Sequence, residues 1–301
     1  MAELKLKDLQ YLVALADTRH FGKAAAKCFV SQPTLSAQLK KLEGCLGAPL
    51  IERQPKNVTL TEMGERVVER ARRMLSDSDA IIDLAKHSRD PLAGNLRVAL
   101  IPTIGPYLLP IVASQFRKQL PRLKLLLNEY QTEPLLEHLK SGTVDVGILA
   151  LPIDVDGLVA RVLYDEPFTV AMPANHPLAA RASVKLQDLA HEKLLLLEDG
   201  HCLRDQALEV CSRIGLHEND DYRATSLETL RQMVAAGHGI TLLPALAAEA
   251  AHGDQRSLAV RPFTKPAPKR TVGAVWRKSS TRVAAIEALC EIITQTMHRK
   301  R

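Results

Sequence analysis

Leu9, Leu12, Val13 and Ala16 recur at intervals of three and four through LKDLQYLVALAD (6–17), which predicts an amphipathic helix. FGKAAAKCF (21–29) predicts a second, shorter helix. In VSQPTLSAQLKKLEGCLG, Ser31 fits an N-cap and Pro33 a first-turn position, where a missing N–H costs nothing. Leu35, Leu39 and Leu42 form the buried stripe of this third helix, and Gly44 or Gly47 ends it. PLIERQPKNVTLT then reads as two short strands around Pro55-Lys56-Asn57.

Two short helices, a tight turn and a strand pair describe a helix-turn-helix with a hairpin wing. The third helix presents Gln32, Thr34, Ser36, Gln38 and Lys40, side chains suited to base edges and phosphates in a major groove. Ser31 and Pro33 at its start belong to the same candidate DNA-contact set, as do Arg53 and Lys56 of the wing. From Thr61 a long helix runs to about Ser88. Met63, Val67, Met74, Ile81, Ile82 and Leu84 make a stripe on it, for which a second copy of the chain is the economical cover. A two-fold dimer also matches a two-fold operator.

Pro91-Leu92-Ala93-Gly94 breaks that helix, and strands then alternate with helices. Strands are expected at 96–101, 124–130 and 144–150, with helices at 107–119 and 134–142 between them, a β-α-β-α-β unit with a parallel sheet. Further strands are expected within 164–173 and at 193–198, 239–244 and 271–276. Thr225-x-x-Glu228 reads as a capping box, Gly237-His238-Gly239 as a helix stop, and 282–297 as the last helix. Two α/β lobes with chain crossings near residues 165 and 268 follow. Ligands of open parallel sheets sit beyond the carboxyl ends of the strands, which puts Thr103 and Thr132 at the mouth of a cleft. Taken singly, each threonine also fits an ordinary helix cap.

Composition narrows the partners. The net charge is +6, and residues 1–60 hold nine Lys/Arg against five Asp/Glu, a local +4 that favours an anionic partner, nucleic acid first. MAELKLKDLQ has no apolar stretch behind its charges, and Met233–Ala251 is interrupted by Gly237, His238, Gly239, Pro244 and Glu249. Neither a signal peptide nor a membrane span is expected, and a cytoplasmic location with reduced thiols follows. The five cysteines lack C-x-x-C or paired zinc spacing, and Cys28, Cys45 and Cys290 read as small core residues. A zinc set of His201, Cys202, Cys211 and His217 is possible by ligand type, but a helix through 203–212 would scatter it, so no metal and no cofactor are expected. G-x-S-x-G, Walker-type and dinucleotide-type glycine motifs are absent, and the chain reads as a regulator without a catalytic residue set.

The order of winged helix, long helix and two-lobed α/β half, with FGKAAAKCFVSQPTLSAQLKKLE and SLETLRQMVAAGHGITLLP, resembles the LysR-type transcriptional regulators over essentially the whole chain. Within them, LEDGHCLRDQ with a second cysteine nine residues on, IPTIGPYLLP and ATSLETLRQMVAAG resemble the peroxide-sensing subfamily. The resemblance implies a winged helix-turn-helix domain over 1–60, a linker and dimerisation helix over 61–90, and an α/β regulatory domain over 94–301. The last is built of two Rossmann-like lobes, as in periplasmic binding proteins: lobe I about 94–165 plus 268–301, lobe II about 166–267. It implies that Cys202 reacts with hydrogen peroxide and pairs with Cys211. It also implies that Thr103, Thr132, Gly200, His201, Cys202, Arg204 and Asp205 shape the peroxide pocket. The implied partners are double-stranded promoter DNA, RNA polymerase, further copies in a homotetramer, and dithiol reductants that reset the switch.

The chemistry asks for a Cys202 thiolate. His201, Arg204 and a helix beginning near Leu203 would favour it, whereas Asp199 and Asp205 oppose it. Moving a thiol from about 8.5 to 7 takes about 2 kcal/mol. Nine helical residues set the two thiols about 13 Å apart along the axis, so the 202–211 bond requires that helix to unwind. Cys211 shares an apolar face with Ala207, Leu208 and Ile214. Two other readings stay open on the residues: a regulator of the same family that senses a small metabolite in the cleft, and a thiol peroxidase carrying a DNA-binding module.

Overall fold

A computed structural model describes residues 4–53, 58–87, 90–212, 218–250 and 257–300. The expectations for Lys56, Ile214 and His217 lie outside the described residues, as do those for the side chains of Arg53 and Leu84. The chain forms two compact units, one of residues 1–89 with 140–143, the other of 90–139 with 144–301.

In the first unit, α1 (Leu6–Thr18), α2 (Phe21–Lys27) and α3 (Gln32–Leu46) enclose a core of Leu9, Leu12, Leu15, Ala24, Ala25, Leu35, Leu39 and Leu42. Ser31 Oγ accepts from the Thr34 N–H and Gly47, at φ +68°, closes α3. The antiparallel strands β1 (Ile51–Arg53) and β2 (Val58–Leu60) form the wing. Glu43, in the last turns of α3, accepts from the N–H groups of Leu50 and Ile51 at 2.8 and 3.1 Å and ties the wing to the helix. Thr61 caps α4 (Glu62–His87) by accepting from the Gly64 N–H. A Cβ on Gly64 would lie 2.1 Å from the Leu50 carbonyl, so only glycine lets α4 pass that close to the wing. Val68 and Ala71 anchor α4 in the core, whereas Met63, Met74, Ile81 and Ile82 are exposed. Cys28 and Cys45 are half-buried rather than core residues; Cys290, in the second unit, is fully buried.

In the second unit, β3 (Gly94–Leu100), α5 (Gly105–Gln119), β4 (Leu123–Glu129), α6 (Thr132–Ser141) and β5 (Val146–Leu151) form the parallel unit, with β3 between β4 and β5. β11 (Lys269–Arg277) adds antiparallel to β5, and α5 and α10 (Val283–Lys300) pack on this lobe's core through Leu108, Val112, Phe116, Ile286, Leu289 and Ile293. One strand, β6 (Leu158–Pro173), pairs with β11 through its first half and with β9 (Thr241–Pro244) and β10 (Leu258–Pro262) through its second. A single 16-residue strand thus carries the chain from the first lobe's sheet to the second near residue 165, and the chain returns between β10 and β11, the two crossings lying where the sequence places them. The second lobe is completed by β7 (Leu194–Leu197), parallel to β8 (Glu218–Ala224), and by α7 (Cys202–Ser212), α8 (Leu227–Ala235) and α9 (Ala245–Ala250). The cap of α8 is Ser226, whose hydroxyl accepts from the Thr229 N–H, and not Thr225 as its box spacing suggests.

Candidate functional site

Three parallel strands end at one edge of the first lobe, and each places a polar group there. Thr103 follows β3, Gln131 and Thr132 follow β4, and the Ala150 backbone lies near the end of β5. The opposing piece is the first residue of α7: Cys202 packs against the first lobe's core. Cys211, nine residues along the same helix, is fully buried in the core of the second lobe. Both thiols are free. One helix therefore has a sulfur in each of two separate cores.

Burial is the main influence on the Cys202 thiol and raises its pKa above the ordinary thiol range. The Thr132 hydroxyl, the Arg270 charge and the Ala150 backbone pull it back, and Asp205 pushes it up. Thr132 Oγ1 is itself buried beside the sulfur and has no hydrogen-bond partner other than that thiol among the described residues. Cys211 is raised further, to about 11, by burial alone. A buried cysteine without an ionising neighbour is a packing residue until something exposes it.

Arg270, on β11, is the fixed positive charge of the site. Its Nη1 donates to Thr103 Oγ1 at 3.0 Å and its Nη2 to the Thr103 carbonyl at 2.9 Å. Its Nε donates to Glu166 Oε2 at 2.9 Å; both side chains are almost wholly buried. Glu166 also accepts from the Leu246 N–H, so its carboxylate is held on two sides. Tyr164, two residues before Glu166 on the same strand, has its hydroxyl driven far up in pKa, first by burial and then by the Glu166 charge.

His201 and Arg204 act otherwise than their places beside Cys202 suggest. His201 is buried, which lowers its pKa and leaves the ring neutral near pH 7. It is hydrogen-bonded to the Thr225 backbone, and its Nε2 faces Gln131 Nε2 at 3.1 Å. Arg204 pairs with Asp199 at 2.9 Å and donates to the Leu197 carbonyl, fixing the loop between β7 and α7. Gly200 turns that loop at φ +92°, and a Cβ there would meet Gln131 Oε1 at 2.7 Å. Asp205 is exposed on the first turn of α7. The site thus gathers Thr103, Thr132, His201 and Cys202 with Gln131 and Arg270, two residues the sequence reading missed. Arg204 and Gly200 shape its rim. Among the described residues no cluster of three or more His, Cys, Asp or Glu could hold a metal ion.

On the first unit, Ser31, Gln32, Pro33, Thr34 and Lys40 are exposed along α3, while Ser36 and Gln38 are half-buried. Ser31 and Thr34 share a 2.7 Å hydroxyl contact at the helix start. Arg53 ends β1. No helix among the described residues is long and apolar enough to cross a membrane.

Comparison with known proteins covers both units. Residues 6–65 match the bacterial regulatory helix-turn-helix protein, lysR family, and residues 89–298 match the LysR substrate binding domain. The chain is 46% identical over 294 residues to the DNA-binding transcriptional dual regulator OxyR of Escherichia coli K12, covering 98% of this chain and 96% of that protein. A full-length OxyR variant from Pseudomonas aeruginosa superposes with a TM-score of 0.80 at 42% identity, covering 97% of this chain and 95% of the other. A Corynebacterium glutamicum OxyR mutant with hydrogen peroxide bound gives 0.67 at 36% identity, over 99% and 94% of the two chains.

Proposed function

This chain belongs to the LysR family of bacterial transcription regulators, in its peroxide-sensing OxyR group, and on that premise we propose a cysteine switch that couples hydrogen peroxide to promoter DNA. The Cys202 thiolate attacks one oxygen of the peroxide. The O–O bond breaks, water leaves after protonation, and Cys202 becomes a sulfenic acid. The Cys211 thiol then displaces the second oxygen as water, and the Cys202–Cys211 disulfide carries the two-electron oxidation. A cellular dithiol returns both sulfurs to thiols and is itself oxidised.

The observation that carries this reading is the division of one helix between two cores. Cys202 is seated among the strand ends of the first lobe, and Cys211 is buried in the second. The pair cannot bond while α7 is intact, so oxidation has to rebuild the segment and change what it packs against. The buried Thr132 hydroxyl beside the sulfur and the Arg270 charge suit a small, polar, uncharged oxidant: the hydroxyl supplies a hydrogen bond and the guanidinium favours the thiolate. Gly200, His201, Arg204 and Asp205 hold the loop and first turn that present the sulfur.

The DNA-binding part is residues 1–60, with Ser31, Gln32, Pro33, Thr34, Ser36, Gln38, Lys40, Arg53 and Lys56 as its candidate contacts. Residues 61–90 are the dimerisation helix, whose exposed Met63, Met74, Ile81 and Ile82 seek a second copy. Residues 94–301 are the sensor. A homotetramer that contacts RNA polymerase from the cytoplasm completes the proposal. The protein acts as a regulator, not as an enzyme.

The test is transcription from a peroxide-responsive promoter in cells carrying the wild type, Cys202→Ser or Cys211→Ser. Peroxide should induce transcription only with the wild type. Induction retained by Cys202→Ser would refute the reading and favour a metabolite in the cleft.

A further inference from the structure

The turn between α2 and α3 carries a residue that the fold does not favour. The Val30 N–H donates to the Ala25 carbonyl and the Phe29 N–H to the Ala26 carbonyl, the paired bonds of a Schellman ending. Phe29 is the left-handed residue of that ending, at φ +56°. Glycine is the usual occupant, because a side chain there crowds the backbone, and a bulky one is a true outlier. The ring gains no burial in return. Phe29 is 95% exposed, while the most exposed other large apolar side chain among the described residues reaches 68%. Its neighbours behave ordinarily, Cys28 and Val30 both packing against the helical core.

Phe29 stands two residues before Ser31, the N-cap of α3, beside exposed Gln32 and Thr34. In a helix-turn-helix the start of the second helix meets the base edges. We propose that Phe29 is a specificity-determining residue of the DNA interface, its ring packing on the 5-methyl group of a thymine at the major-groove edge of each half-site. The left-handed backbone and the near-complete exposure leave the ring free in solvent at the start of α3. Apolar contact with that methyl is one of the few ways a phenyl ring distinguishes base pairs. The inference rests on the DNA-binding reading of the first unit.

The experiment uses the full-length protein and duplexes that the wild type enriches from a random-sequence library. Affinities are measured for the wild type, Phe29→Gly, Phe29→Ala and Gln32→Ala on the enriched duplex, and on copies with each thymine in turn replaced by deoxyuridine, which lacks only the methyl. Phe29→Gly should bind about tenfold more weakly, with a thermal midpoint equal to or above the wild type because glycine suits the turn. One deoxyuridine position per half-site should weaken the wild type several-fold and leave Phe29→Gly unaffected. Wild-type affinity in Phe29→Gly, or the same deoxyuridine profile in both proteins, would overturn the proposal. Enrichment of a duplex that Gln32→Ala binds more weakly preserves the DNA-binding reading in that event. No enrichment by the wild type would remove both.

Discussion

Replacing Glu209 by glycine and, separately, by alanine tests whether α7 must unwind. Glu209 is exposed within the helix that separates the two thiols, so neither change touches a sulfur or either core. Both variants lose the same carboxylate, and their comparison isolates the backbone. Glycine is about 0.8–1.0 kcal/mol worse than alanine in a helix interior. If the dithiol form needs the helix and the disulfide form lacks it, that difference falls on the dithiol alone. A less stable dithiol makes the disulfide harder to reduce. For a two-electron couple 1.4 kcal/mol corresponds to about 30 mV, so the midpoint of Glu209→Gly should lie about 20 mV below that of Glu209→Ala. The assay is equilibration of full-length protein in dithiothreitol buffers, acid quenching, alkylation and mass quantification of the Cys202 and Cys211 peptides. Equal midpoints, or a shift of opposite sign, would mean that the bonded form keeps the helix, and the unwinding argument would fail.

Three further outcomes follow from the same geometry. Burial raises the Cys202 pKa above the ordinary value of about 8.5, so the thiolate fraction grows with pH throughout the neutral range. Sulfenic acid formation, measured by stopped flow with Cys211→Ser, should rise about tenfold per pH unit between 6 and 8; a plateau below pH 7 would show a lowered pKa instead. Thr132→Val keeps the shape and removes the hydroxyl beside the sulfur, and should slow the same step by about 100-fold while Thr132→Ser retains most of the rate; equal rates for the two would remove Thr132 from the site. Arg270→Met leaves Glu166 buried without its partner and should cost about 3–5 kcal/mol, most of it recovered by adding Glu166→Leu. Denaturant unfolding of the regulatory unit in the full-length chain reads this, and an undiminished midpoint in Arg270→Met would contradict it.

The helix-turn-helix was legible because its signals are local. Ser31 and Gly47 punctuate α3, and Leu35, Leu39 and Leu42 sit at helical spacing. The β3-α5-β4-α6-β5 unit was legible for a similar reason, its apolar runs being short and separated by clear breaks. The continuity of β6 was not. Asp165, Glu166 and Pro167 interrupt its apolar pattern as a turn would, yet they form the ladder at the crossing, where Lys269 and Thr271 on β11 meet Asp165 and Arg270 meets Glu166. β8 (ENDDYRA) has no apolar run at all, and its strand character depends on the parallel partner β7.

Within the site, Cys202, His201 and Thr132 stood out by residue type. Arg270 did not, since its partners Thr103 and Glu166 are 167 and 104 residues away. Gln131 was hidden beside Thr132, whose hydroxyl already explained the local pattern as a helix start. The cap of α8 sits one residue beyond the box position because Thr225 and Ser226 both carry hydroxyls. The structure gives Ser226 the cap and gives the Thr225 backbone to His201.

The most direct measurement is non-reducing peptide mapping of the full-length protein after one equivalent of hydrogen peroxide, with a DNA footprint taken on the same sample. A Cys202–Cys211 linked peptide appearing together with an altered footprint, both reversed by dithiothreitol, is the result this account requires. Two free thiols after oxidation, or a linked peptide with an unchanged footprint, would contradict it.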